Sequence, residues 1–337
     1  FDTYAYKFSK NLSNTISLVF DKKTFKLDAG FRHQLINLGT DRELPAAVGV
    51  VIPTENKENR LGAVGNLEIK LWDKVDVKSF LEYSNGKSFG NYLRSENLLK
   101  LEPIKGYILD AHVNFQSAIP SFNYLINPSF YQNFNYNFSN AQNQSITEIG
   151  GKVNLKWFES SVFANYFRID NFAYFGTDFL PKQSSETVNI SQIGGEATLN
   201  YWKLKFNTKL LFQSALSQKE LLPMPNFVGR LNVFYQSKAF KNAAEIQTGF
   251  KVYYFSKFKS RDYFPVLNEF VLSNSGTSIG GQPIADAYFN MKVKRMMIFA
   301  EAQHFNTTFM KNKSFTAPNY PIYEFRLNLG IVWYIFH

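Results

Sequence analysis

The chain has 337 residues, with 37 Lys and Arg against 27 Asp and Glu, a formal net charge of +10. Aromatic residues make up 17% of it, cysteine is absent, and there are only four histidines. So heavy an apolar load excludes a disordered chain. The missing cysteines exclude a disulfide framework, a thiolate metal site and a thiol nucleophile. The longest uninterrupted apolar run, Ile331 to Phe336, falls far short of the roughly 20 residues a membrane-spanning helix needs.

Alternation with period two dominates, the mark of strands with two unlike faces. Near the start, Phe25, Leu27, Ala29 and Phe31 oppose Lys26, Asp28 and Arg32. Further on, Tyr107, Leu109, Ala111, Val113 and Phe115 oppose Asp110, His112, Asn114 and Gln116. Then Leu204, Phe206, Thr208 and Leu210 oppose Lys203, Lys205, Asn207 and Lys209. Ala287, Phe289, Met291 and Val293 oppose Asp286, Asn290, Lys292 and Lys294. Last, Tyr323, Phe325, Leu327, Leu329, Ile331, Trp333 and Ile335 oppose Glu324, Arg326 and Asn328. Such segments run about 10 residues, the length of a tilted strand across a bilayer.

The pattern predicts sixteen strands, near 3–9, 15–20, 24–33, 62–72, 75–84, 90–101, 106–116, 147–158, 161–170, 190–202, 203–214, 226–237, 241–257, 283–294, 296–306 and 321–336. Fourteen is the nearest alternative. Short turns such as Asp73-Lys74 and Lys294-Arg295 alternate with long loops such as Ser117 to Ile146 and Lys259 to Gln282. Short periplasmic turns and long extracellular loops are the layout of an outer-membrane barrel. The expected fold is therefore all-β: one transmembrane antiparallel up-and-down β-barrel domain over 1–337. An even count puts both termini at the short-turn end. A repeat, Ile146-Thr147-Glu148-Ile149-Gly150-Gly151 and Ile190-Ser191-Gln192-Ile193-Gly194-Gly195, marks hairpin units.

Three features favour lipid over a soluble core. The polar faces carry many charges and the apolar faces almost none. Trp72, Trp157, Tyr201, Trp202 and Trp333 recur at strand ends, as aromatic girdles do at membrane interfaces. A one-residue slip of strand 203–214 would put lysines on the lipid face, at roughly 2–4 kcal/mol each near the midplane. The expected location is the bacterial outer membrane, for a mature chain. Phe1-Asp2-Thr3-Tyr4 has neither the basic nor the apolar region of a signal peptide.

The ending Asn328-Leu329-Gly330-Ile331-Val332-Trp333-Tyr334-Ile335-Phe336 resembles the C-terminal signal by which the barrel-assembly machinery recognises its clients. Asn328, Gly330, Trp333, Ile335 and Phe336 carry that pattern; His337 departs from the common terminal Phe. The segment Gln282-Pro283-Ile284-Ala285-Asp286-Ala287-Tyr288-Phe289-Asn290-Met291-Lys292-Val293-Lys294-Arg295 has a continuation in Ile298 to Asn306 and the closing Arg326 to Trp333. Together they resemble the putative porin family of Bacteroidetes outer membranes. That resemblance implies a channel and supplies no site residues.

Alternation itself nominates pore-lining residues: Lys26, Arg32, Glu68, Lys70, Asp110, His112, Lys203, Lys205, Lys209, Arg230, Lys251, Lys257, Lys292, Lys294, Glu324 and Arg326. Basic groups outnumber acidic ones, which biases a pore towards anions. The alternative is that these charges are paired across the wall or solvated. His112 near Asp110 could form a general-base pair or be a solvated wall histidine. The segment Phe130-Tyr131-Gln132-Asn133-Phe134-Asn135-Tyr136-Asn137-Phe138 alternates rings with amides. It suits sugar rings if it folds inward as a constriction; otherwise it is an extracellular extension.

Lys and Arg are spread along the chain and form no nucleic-acid motif. No nucleophile elbow, zinc-protease motif or phosphate loop is visible, so neither catalysis, a metal nor a cofactor is expected. Two functions follow. One is passive diffusion of small hydrophilic solutes with a modest anion preference. The other is a plugged companion barrel in an outer-membrane secretion or barrel-assembly complex. The expected partners are outer-membrane lipid, the assembly machinery during insertion, and other outer-membrane proteins of such a complex.

Overall fold

The computed structural model describes residues 6–41, 44–45, 51–72, 74–129 and 131–335. Fifteen long strands form one sheet in which every strand pairs antiparallel with its neighbours in sequence. They are β1 (Lys7–Lys22), β2 (Phe25–Thr40), β3 (Glu55–Leu71), β4 (Val75–Ser84) and β5 (Tyr92–Ile104). Next come β6 (Tyr107–Ala118), β7 (Gln144–Leu155), β8 (Ser160–Asp170), β9 (Val188–Tyr201) and β10 (Leu204–Ala215). The last are β11 (Phe227–Ala239), β12 (Ala244–Phe255), β13 (Ile284–Val293), β14 (Met296–Gln303) and β15 (Arg326–Trp333). No helix of the described residues is long and apolar enough to cross a membrane.

The expected strand 15–20 and the described part of the expected strand 3–9 belong to one strand, β1, which accounts for fifteen rather than sixteen among the described residues. The run Ser9-Lys10-Asn11 looks like a break because it interrupts the apolar alternation. In the sheet it is held by an unbroken register with β2, from Lys7 opposite Thr40 to Lys22 opposite Phe25. The odd count also moves the start of β1 to the long-loop end, whereas an even count placed it at the short-turn end. β1 and β15 each have one neighbour among the described residues, and they run parallel to one another.

The register sorts most side chains of the sheet's middle by face, with Arg168 and Asn97 among the exceptions on the apolar side. Ile16, Leu18 and Phe31, all at least 80% exposed, lie on one face, joined by Leu61, Leu81, Val113, Ile149, Val162, Ile193, Phe212, Leu329 and Ile331. Large apolar side chains left in the open over an entire sheet face would be a severe liability in water. They are the expected outer surface of a membrane strand. Trp72, Trp157, Tyr201, Trp202 and Trp333 all stand exposed at the short-turn end, one interface deep. Several of those turns use left-handed residues, among them Trp72, Phe158, Trp202 and Lys294, which lets tight hairpin turns follow the sheet's twist.

The opposite face is polar, and the long loops fold against it. The sheet is curled towards this face. Lys7 at the head of β1 donates to Asn123 after β6 (2.6 Å), and Asn123 donates to Glu269 after β12 (2.7 Å). A flat sheet would hold those three points many strands apart.

Candidate polar channel wall

The wall is built rung by rung, because directly paired residues share a face. Its charges are largely neutralised across strands. Arg32 reaches over β3 to Glu82 (2.5 Å), and Lys78 approaches Glu68 (3.9 Å). Lys251 contacts Glu301 at 3.7 Å and lies over the Tyr288 ring. Lys26 meets Asp21 at 3.7 Å. Between β7 and β11 the balance tips. Glu196 is approached by Lys152 (3.5 Å) and Lys209 (3.8 Å). Arg230 sits directly opposite Lys209 and donates to Asn207, with Lys205 two positions from Asn207 on the same face. Two cations thus share one carboxylate, and Lys205 and Arg230 add two more positive charges on the adjoining wall.

The nominated residues fall into two groups. Lys26, Arg32, Glu68, Lys70, Asp110, His112, Lys205, Lys209, Arg230, Lys251, Lys292 and Arg326 occupy strand positions on the polar face. Lys203 and Lys294 lie in short turns, and Lys257 and Glu324 lie in loops beyond strand ends. Asp110 and His112 do not pair. His112 Nε2 meets Glu148 at 3.2 Å, while Asp110 accepts from Asn154. Asn328 and Gly330 also face the polar side; Trp333 ends β15 on the apolar side, and Ile335 lies just beyond it. Phe336 and His337 lie outside the described residues.

The two-strand repeat acquires a physical reason. Gly150 and Gly194 occupy equivalent polar-face sites on β7 and β9, each beneath a ring from an adjacent strand: His112 over Gly150 and Phe163 over Gly194. A Cβ at Gly150 would strike the His112 ring and the Asn165 amide. Gly150→Val should therefore displace His112 from Glu148 and destabilise the folded state by about 1–3 kcal/mol. Denaturant unfolding of the variant in detergent checks this.

Two adjacent rungs beside that glycine frame an open cavity of about 600 Å³. One rung runs Asn66, Phe80, Glu96, Asn114 and Glu148; the next runs Glu68, Lys78, Leu98 and His112. Asn114 Nδ2 donates to Glu148 (3.1 Å), and Arg94 pairs with Glu96 beside the Phe80 ring.

Above the wall, loops from separate hairpins merge into a cap. Ala173–Phe175, Pro181–Gln183, Asp262–Phe264 and Glu269–Val271 form a small sheet of their own. Its core is Tyr136, Phe175, Leu267 and Val271, packed by Tyr124, Phe134, Phe179 and Phe264. Tyr124 stacks on Phe175 at 4.6 Å, and Phe179 packs on Phe264 at 4.4 Å. Burial pushes the Tyr136 phenol well above its ordinary range and lowers the Arg261 guanidinium. The ring-and-amide segment is thus folded inward, with Phe134 and Tyr136 spent on packing; Phe130 lies outside the described residues.

A second contact pins the cap to the wall. Phe122 and Leu125 pack with Phe89 against Ile36 and Leu38 on the polar face of β2. Phe89 is held by a buried clamp on β3. Glu58 accepts the amides of Ser88 (2.5 Å) and Phe89 (2.8 Å) and pairs with Arg60. Arg60 donates to the carbonyls of Phe89 and Gly90, both at 2.9 Å. Sequence reading misses both residues, because the expected strands at 24–33 and 62–72 leave 34–61 between them as a loop. The period-two charges in Glu58-Asn59-Arg60 were the available signal.

The family model described as "Putative porin" matches residues 2–337. The chain belongs to that family. Its solved structural neighbours agree on the fold. The ferric enterobactin receptor PfeA of Pseudomonas aeruginosa aligns with a TM-score of 0.65 at 13% identity, over 93% of this chain and 50% of that one. The siderophore receptor PirA from Acinetobacter baumannii gives 0.66 at 9% identity, over 97% and 55%. The copper transporter OprC gives 0.62 at 11% identity, over 89% and 51%. The chain spans about half the length of each. No curated protein matches it by sequence. Family and fold agree on an outer-membrane protein with the antiparallel sheet of outer-membrane barrels.

Proposed function

We propose that the polar face lines a closed outer-membrane barrel, and that small hydrophilic solutes diffuse passively through it beneath the loop cap. The observation that carries this reading is the division of faces along the middle of the sheet: most charges and amides stand on one side, and the exposed aliphatics on the other. A companion barrel built only for contacts has no need of an interior so polar. The loop cap narrows the mouth, so passage is restricted by size. Proteoliposomes should swell rapidly in arabinose and slowly or not at all in the tetrasaccharide stachyose. Equal exclusion of both would favour the plugged companion barrel.

The channel prefers anions modestly. Many wall charges are paired, and a positive excess gathers at Lys152, Lys205, Lys209 and Arg230, where Glu196 pairs with Lys152 and Lys209. The double variant Lys205→Glu, Arg230→Glu should reverse the sign of the zero-current potential in a salt gradient. Planar-bilayer recordings of the two proteins check this. Outward Leu329 and Ile331 with Trp333 present the surface on which assembly-machinery recognition of the last strand would act.

A further inference from the structure

We propose that the cavity beside Gly150 is a binding site for a neutral polyhydroxylated solute, of the class of a mono- or disaccharide. The inference deepens the channel reading and rests on its assignment of the polar face to the interior. Phe80 supplies an aromatic ring beside Leu98; the Arg94 guanidinium lies over the ring, and the part that lines the cavity is the kind of surface that the C–H face of a pyranose covers. On the same rung stand hydroxyl partners of both kinds: Asn66 and Asn114 amides, and the Glu96 and Glu148 carboxylates. An amide both donates and accepts, and a carboxylate accepts two hydroxyls at once.

Charge decides the class. Glu96 is paired with Arg94, and Glu148 is held by His112 and Asn114. With Lys78 beside Glu68 and Arg94 on Glu96, the remaining carboxylate is Glu148, already engaged by two side chains; an anion gains nothing there, and a bare cation finds its acceptor occupied. A sugar uses the acceptors without desolvating an unpaired charge. The volume of about 600 Å³ is of the size of small-molecule sites generally. Gly150 keeps the floor low and lets His112 lie flat along the wall.

The test is binding to the full folded chain in lauryldimethylamine oxide micelles, a sugar-free detergent, read by saturation-transfer NMR with maltose as probe. It needs no conductance, so its failure is distinguishable from failure of the channel reading. The expected result is saturable binding in the millimolar range, weakened at least tenfold by Phe80→Ala and by Glu148→Gln. Lys205→Ala, on a distant stretch of wall, should leave it unchanged. Heat-modifiable gel mobility confirms that each variant is folded. Non-saturable signal from the native chain would overturn the proposal. So would equal affinity in Phe80→Ala, or tighter binding of inorganic phosphate or choline than of maltose in competition.

Discussion

Glu58→Ala should release the 85–91 loop from the wall and raise single-channel conductance. The Glu58 and Arg60 side chains are only 3% and 8% exposed. Removing one partner of a buried ion pair costs about 3–5 kcal/mol, because the other charge is left uncompensated. Here the guanidinium stays behind and the amides of Ser88 and Phe89 lose their acceptor. The cheapest escape is local: the loop lifts into water and takes Phe89 with it. Phe122 and Leu125 then lose a packing partner, and the cap loosens over β2. Protease digestion of the folded protein should cut near Lys87 in the variant and not in the native chain. Glu58→Gln, which keeps one carbonyl acceptor but no charge, should fall between the two. If both variants resist protease and conduct like the native protein, the clamp does not hold the loop.

Ile149→Lys should destabilise the protein in lipid by about 2–4 kcal/mol, the cost of a lysine near the bilayer midplane on an outward face. Ile149 lies midway along β7, between Val113 and Tyr166 on the same apolar face. It is already half exposed to whatever surrounds the sheet. In a protein surrounded by water, an exposed Ile→Lys change would sit near zero, within about 0.5 kcal/mol. The control is Gln116→Lys, an exposed polar-face position on β6, which should cost little in either setting. Unfolding in vesicles, followed by tryptophan fluorescence, separates the two cases.

The strands that cross the apolar zone were legible because lipid forces a strict alternation. β4, β8 and β10 fall within a residue of their expected bounds, and the outward set follows from parity alone. The extensions beyond lipid were not legible. β2 runs on to Thr40, where Leu35, Ile36 and Leu38 fall on both faces and break the alternation, and β3 begins at Glu55 in a run that is polar on both faces. The same cause split β1 in two at its polar run. Cross-strand pairing was hidden for a further reason. Arg32 finds Glu82 and His112 finds Glu148 only once the register is fixed. The cap was hidden most of all, since its core joins residues from hairpins well over a hundred positions apart, such as Tyr136 and Val271. Alternation of rings with amides marked 130–138 as unusual without saying that the rings would be consumed by packing.

The central claim is that the polar face is a conducting interior. It is tested most directly by inserting the purified, refolded protein into a planar bilayer and recording current across a potassium chloride gradient. The account predicts steady, small unitary steps with a zero-current potential displaced modestly towards that of chloride. A protein that shifts on a gel with heat, and so is folded, yet passes no current at any voltage would contradict it.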